Sequence, residues 1–126
     1  MADRSSGDQA DMTFAEQVNL ARNLLGPRLV AYIASVNNTG IVHQWADPHK
    51  KKHREPPPET QRRVTEALTI ALLLSDFDTP RIAQLWFQSL NQHLADQSPA
   101  RLLREGDLDK VGPQVRAAAL AFTKWW

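Results

Sequence analysis

Apolar residues return every three or four positions along the first third of the chain. Phe14, Val18, Ala21 and Leu25 share one face of a helix. Thr13 stands before them and Glu16 three residues later, the spacing of a reciprocal capping box, and Gly26 closes the helix. Pro27 suits the first turn of a second helix, "RLVAYIASV", whose Leu29, Val30, Ile33 and Val36 share a face. "NNTG" interrupts it. A short third helix around Thr39 to Ala46 is expected to dock Ile41, Val42 and Trp45 on the first two and to leave Thr39, His43 and Gln44 outward.

"EPPPE" then imposes an extended break, because each proline fixes its own backbone and disfavours helix in the residue before it. Beyond it, Thr60 to Ser75 reads as a strongly apolar helix. Val64, Leu68, Ala71 and Leu72 lie on one face, and Ile70, Leu73 and Leu74 widen the belt. One small lobe does not easily cover so much surface, which predicts a homodimer. Thr79-Pro80 opens "RIAQLWFQSLNQHL", with Ile82, Leu85, Trp86 and Leu90 on a face and Phe87 beside them. In the closing "GPQVRAAALAFTKWW", Val115, Ala119, Phe122 and Trp126 fall on one stripe with Trp125 next to it. That stripe either folds back on the core or docks on a partner: two exposed terminal tryptophans would form a costly apolar patch, and tryptophan is enriched among interface anchors.

The composition sets the class. A chain of 126 residues that is 42% hydrophobic buries its own core, as one domain or two small helical lobes. The absence of cysteine excludes disulfides, thiolate zinc sites and cysteine nucleophiles. The opening "MADRSSGDQADM" lacks a basic start followed by an apolar run, and no stretch approaches the roughly 18 apolar residues of a membrane span, so a cytoplasmic, membrane-free protein with a polar tail is expected.

Charge changes the picture more. The net charge is only +1, yet His49 to Arg63 carries Lys50, Lys51, Lys52, Arg54, Arg62 and Arg63 against Glu55 and Glu59, a local +4 that leaves −3 elsewhere. Three short helices followed by such a run suggest a helix-turn-helix, which needs a helix positioned by a tight turn so that polar side chains reach base edges while cations hold phosphates. Asn38, Thr39, His43 and Gln44 supply the donors and acceptors; Lys50, Lys51, Lys52 and Arg54 supply the phosphate contacts. Ala31 fits the small position in the second helix and Ile41 the apolar slot in the third. Ser35 stands where glycine is usual and Trp45 falls one place late, which implies a turn one residue longer. The competing readings are a solvated loop and a helical adaptor that binds an acidic protein.

Between Pro80 and Val111 the chain resembles the toxin-binding region of the Xre/MbcA/ParS antitoxin family. The elements are Trp86 on a helix, an Asn91 turn, Leu94, Ser98-Pro99, Leu102-Leu103, Gly106-Asp107 and Val111, with Ala95 where glycine often stands. On physical grounds alone, Ser98 caps a short helix begun by Pro99, anchored by Leu102 and Leu103 and ended by Gly106. The resemblance implies an antitoxin that holds a RES-domain, NAD-consuming toxin inactive and represses its own operon. It implies toxin-binding residues Trp86, Ser98, Pro99, Leu102 and Leu103, and the terminal stripe adds Phe122, Trp125 and Trp126 as candidate anchors in the same set.

Catalysis has little to stand on. His49 and His53 flank three lysines that would repel a metal, Asp107 and Asp109 do not face each other on a helix, and no phosphate loop or nucleophile motif is present. The expectation is therefore a non-enzymatic, cofactor-free, all-α protein: a disordered tail over 1–12, an Xre-like helix-turn-helix region with a basic loop over 13–58, and a helical dimerisation and toxin-binding region over 59–126. Its partners are operator DNA, the cognate toxin and a second copy. The alternative is a stand-alone helix-turn-helix regulator without a toxin.

Overall fold

The structure, a computed structural model, describes residues 11–49, 54–75 and 79–125, with Trp125 described by its backbone alone. These residues are all-α. In order they form α1 (Phe14–Leu25), α2 (Pro27–Ala34), α3 (Thr39–Ala46), α4 (Pro58–Ser75), α5 (Pro80–Gln88), a 3-10 turn (Gln92–Leu94), α6 (Pro99–Glu105) and α7 (Leu108–Trp125).

The starts follow from local chemistry. Thr13 accepts the Glu16 amide through Oγ1 at 3.1 Å while its own amide donates to Glu16 Oε1 at 2.8 Å, completing the capping box. Asn38 caps α3 by accepting from the Ile41 amide at 3.1 Å, and Ser98 caps α6 by accepting from the Arg101 amide at 3.2 Å. Pro27, Pro80 and Pro99 occupy first turns, where a missing amide proton costs nothing.

The ends are closed from elsewhere in the chain. Gln84 of α5 donates to the Leu24 carbonyl of α1 at 3.2 Å. Arg104 of α6 donates to the Tyr32 carbonyl of α2 at 2.8 Å and lies over the Tyr32 ring. Asn19 of α1 donates to the Ala46 carbonyl of α3 at 2.9 Å. Arg63 of α4 donates to the carbonyls of Leu103 and Gly106 at the end of α6. The donors reach carbonyls in or just after the last turns, where intrahelical partners run out; the Tyr32 carbonyl accepts the Ser35 amide as well.

α4 is the axis of the fold: α1, α2, α5, α6 and α7 all pack on it. Val64, Ala67, Leu68, Ile70, Ala71 and Leu74 are buried there, and one continuous apolar cluster runs from Phe14 to Ala119. The break before Pro58 interrupts the helices and leaves the core undivided. The core covers Val64, Leu68, Ile70, Ala71 and Leu74 of the belt on α4, and Leu72 and Leu73 stay half-buried. Phe14 and Trp45 tilt against each other at 5.8 Å and fasten α3 to the start of α1. Arg116 of α7 places Nε 2.9 Å from Glu66 Oε2 of α4, an ion pair beside Gly112 that joins the two longest helices.

One expectation from periodicity is corrected. On α5 the buried set is Ala83, Trp86 and Phe87, whereas Leu85 and Leu90 are exposed and Ile82 is half-buried. Spacings of three and four from Ala83 bring both rings inward, Leu85 falls on the opposite side, and the helix has ended before Leu90. The last helix begins at Leu108, upstream of the closing apolar stripe. Asp107 starts it, accepting the Asp109 amide on its carboxylate at 3.0 Å and the Lys110 and Val111 amides on its carbonyl. Pro113 then sits inside the helix on an exposed face, where the carbonyl left without an amide belongs to exposed Asp109.

Two backbone positions make a test. A Cβ on Gly106 would lie 2.7 Å from the Leu102 carbonyl oxygen and 2.7 Å from Val111 Cγ1, so Gly106→Ala should destabilise the protein by about 1 to 3 kcal/mol. Ser35 ends α2 with φ 65°, a conformation that glycine enters freely, so Ser35→Gly should stabilise it by about 0.5 to 1 kcal/mol. Urea denaturation of the two variants should move the midpoint in opposite directions.

Candidate functional site

The first candidate surface is the α2–α3 pair. α2 ends with Ser35 donating to the Tyr32 carbonyl and Val36 donating to the Ala31 carbonyl, both at 3.0 Å, a Schellman-type closure. Residues 35–38 then turn the chain into α3. Ala31, Val42, Trp45 and Ala46 are buried and Ile41 is half-buried, which leaves exposed Asn38 and half-buried Thr39, His43 and Gln44 along the polar side. Asn38 spends its side-chain carbonyl on capping. His43 is held: Arg22 of α1 reaches its Nδ1 at 2.6 Å, and Arg22 is held in turn by Asn19 Oδ1 at 2.6 Å.

The basic run divides. Lys50, Lys51, Lys52 and His53 lie outside the described residues. Arg54 is exposed in the extended segment before α4. Arg62 and Arg63 have structural roles instead. Arg63 closes α6 and pairs with Glu59, and Arg62 pairs with Glu59 and, at 2.8 Å, with Asp109 of α7. That hydrogen bond and the Asp109 charge hold the Arg62 guanidinium above its ordinary value. The sequence shows the cations of this run but not their partners, which lie about forty residues away.

The second candidate surface is the α5–α7 end. Asn91 caps the 3-10 turn by accepting from the His93 amide at 2.9 Å, and Ala95 and Asp96 follow with φ 56° and 62°. Ala95 therefore stands where a left-handed backbone favours glycine. Trp86 is 7% exposed, edge-on to Phe87 at 5.3 Å and tilted against half-buried Phe122 at 6.4 Å. Pro99 and Leu103 are buried; Ser98 and Leu102 are half-buried. Trp126 and the Trp125 side chain lie outside the described residues. Of the expected toxin-binding residues, Trp86, Pro99 and Leu103 are therefore core, while Ser98, Leu102 and Phe122 stay partly open. The exposed leucines of these segments are Leu85 (53% exposed) on the outer side of α5, Leu90 (75%) after its end and Leu120 (48%) on α7. Sequence reading had Leu85 and Leu90 inward. The Ala83, Trp86 and Phe87 spacing was the signal against it.

No protein-family model and no curated protein matches the chain. Among solved structures, a chain of the M. tuberculosis MbcT-MbcA toxin-antitoxin complex aligns over 87% of this chain and 96% of that one, with a TM-score of 0.65 and 24% identity. The fold is shared.

A cleft of about 650 Å³ opens between the α1–α2 junction, α5 and the start of α6, lined among others by Leu25, Arg28, Tyr32, Gln84 and Ser98. Among the described residues its lining includes no carboxylate and no histidine. Among the described residues no three histidine or carboxylate groups converge as metal ligands, and no helix is long and apolar enough to cross a membrane.

Because Phe122 packs on Trp86, Phe122→Ala should lower stability by about 1 to 3 kcal/mol, less than for a fully buried ring. Leu85→Ser, on the exposed side of α5, should stay within about 0.5 kcal/mol of the parent. Thermal melts of the two variants separate the core side of this end from its open side.

Proposed function

We propose that the chain is the antitoxin of a toxin–antitoxin pair, with the α5–α7 end as the surface that holds the toxin. The supporting observation is the shared fold with a chain of the MbcT-MbcA toxin-antitoxin complex, over nearly the full length of both. The exposed leucines add to it. The Trp86–Phe122 contact joins the ends of α5 and α7, and Leu85, Leu90 and Leu120 stand open on these segments. Trp125 and Trp126 belong to the proposed surface by sequence alone, as large rings that bury area at small entropy cost. A RES-type, NAD-consuming enzyme is the toxin that the motif resemblance suggests. Its inhibition by a docked helix end needs no chemistry from this chain.

The same proposal gives the α2–α3 pair the role of a helix-turn-helix that reads operator DNA, making the protein a repressor of its own operon in the cytoplasm. Support comes from the short helix capped by Asn38, from the polar side of Thr39, His43 and Gln44, and from the cations that follow it in sequence.

Co-expression with the reading frame beside its gene tests the toxin half. The intact chain should restore growth, and Leu85→Ser combined with Leu90→Ser should lose protection while melting as the parent does. Full protection by the double variant, and by a triple variant that adds Leu120→Ser, would sink the assignment of this surface. If the neighbouring product is harmless, the stand-alone regulator takes over.

Gel-shift titration at several salt concentrations tests the DNA half. Neutralising Lys50, Lys51 and Lys52 should weaken binding to every sequence and reduce the salt slope by about 0.9 per lost phosphate contact. An intact protein that ignores its own promoter, alone and with its partner, removes the repressor role.

A further inference from the structure

We infer that Arg22 fixes His43 as a hydrogen-bond donor, so that α3 selects a base edge rich in acceptors, guanine before the others. The inference rests on the proposed contact between α3 and the major groove. Arg22 Nη1 stands 2.6 Å from His43 Nδ1. A guanidinium has donors and no acceptor, so Nδ1 accepts, the ring is neutral and its proton sits on Nε2. Arg22 cannot swing freely to another partner, because its Nη2 donates to Asn19 Oδ1 at 2.6 Å. Asn19 is oriented in turn: its amide nitrogen donates to the Ala15 carbonyl at 3.1 Å and to the Ala46 carbonyl at 2.9 Å, which turns Oδ1 toward Arg22. Every bond in this chain, from the backbone of α1 and α3 to the ring, has one possible direction, and it ends at the Nε2–H of His43.

Among the described residues no group accepts from that Nε2–H, and the side chain is half-buried on the polar side of α3, one turn beyond Thr39. A free histidine reads either way, as donor or acceptor. This one is restricted to donating. In the major groove guanine presents two acceptors, O6 and N7, thymine one, adenine an N7 beside a donor, and cytosine only a donor. A fixed donor therefore fits guanine best and is repelled by cytosine. Arg22 acts as a positioning residue, one that sets specificity from α1 without meeting the base.

Two measurements on the full chain decide it. Ring-nitrogen NMR of the free protein should show His43 Nδ1 unprotonated and Nε2 protonated in the parent, and an exchanging mixture in Arg22→Ala. A protonated Nδ1 in the parent overturns the inference. On an operator selected from random DNA, 7-deazaguanine at the contacted guanine should weaken binding by about 5- to 150-fold, and His43→Ala should be indifferent to the same replacement. Arg22→Ala should lose preference for guanine over cytosine at that position with the salt slope unchanged, and Arg22→Lys, which keeps a donor to Nδ1, should retain it. A slope reduced by about one in Arg22→Ala makes Arg22 a phosphate contact and overturns its positioning role. Sequence-specific binding that no guanine replacement and no change at His43 affects overturns the inference alone. Absence of any sequence-specific binding, with or without a partner, overturns the DNA assignment and this inference together.

Discussion

Short helices in water do not hold themselves. Below about 12 to 15 residues the cost of nucleation outweighs the bonds gained, and α2, α3 and α6 have eight, eight and seven residues. Each also leaves carbonyls unpaired at its C-terminal end. In this protein Arg104, Asn19 and Arg63 close these ends, and Gln84 does the same for α1. Every donor comes from a different helix, and Gln84, Arg104 and Arg63 lie forty or more residues from the carbonyls they close. A helix is therefore finished only when its neighbour has docked. α1, α2, α5, α6 and α7 pack on α4 in one continuous apolar core, to which the α2–α3 pair contributes Leu29, Val30, Ile33 and Val42.

The same principle explains what the family-like motif encodes. Asn91 caps a turn, Ala95 takes a left-handed backbone, Ser98 caps α6 and Pro99 begins it. Leu94 and Leu103 are buried, Gly106 leaves no room for a Cβ beside Val111, and Asp107 starts α7. These are constraints on how the chain turns, and they do not describe the surface it shows a partner. Such a pattern can accompany a shared fold at 24% identity while the exposed residues differ. It is good ground for architecture and weaker ground for naming a contact. The exposed leucines, which the motif does not mention, carry the proposed surface.

Legibility in the sequence followed the range of the interaction. The helix starts and the closures at Gly26 and Gly106 are decided within four residues, and capping spacing shows them. α3 was expected over Thr39 to Ala46 and is found there. On α5, adjacent Trp86 and Phe87 offer two candidate inner faces, and only the burial of both rings, with Trp86 against Phe122, decides between them. Arg62 and Arg63 read as free charge because their partners, Asp109 and the end of α6, are distant in the chain. A periodic pattern counts the apolar residues of α4 without counting the helices available to cover them, and five other helices pack on it.

The α3 surface shows how structural duty narrows chemistry. Asn38 carries both an acceptor and two donors, yet capping Ile41 consumes the carbonyl and leaves the amide donors. His43 could present either a donor or an acceptor, yet Arg22 leaves only the donor. Two side chains that look ambivalent in the sequence thus become donors for reasons internal to the fold. Lysines follow in the chain, which are donors without alternative. A surface so composed complements a partner that offers acceptors on its face and negative charge at its edges, as a guanine step between phosphates does. The restriction arises before any partner arrives, and it comes from Arg22 on α1.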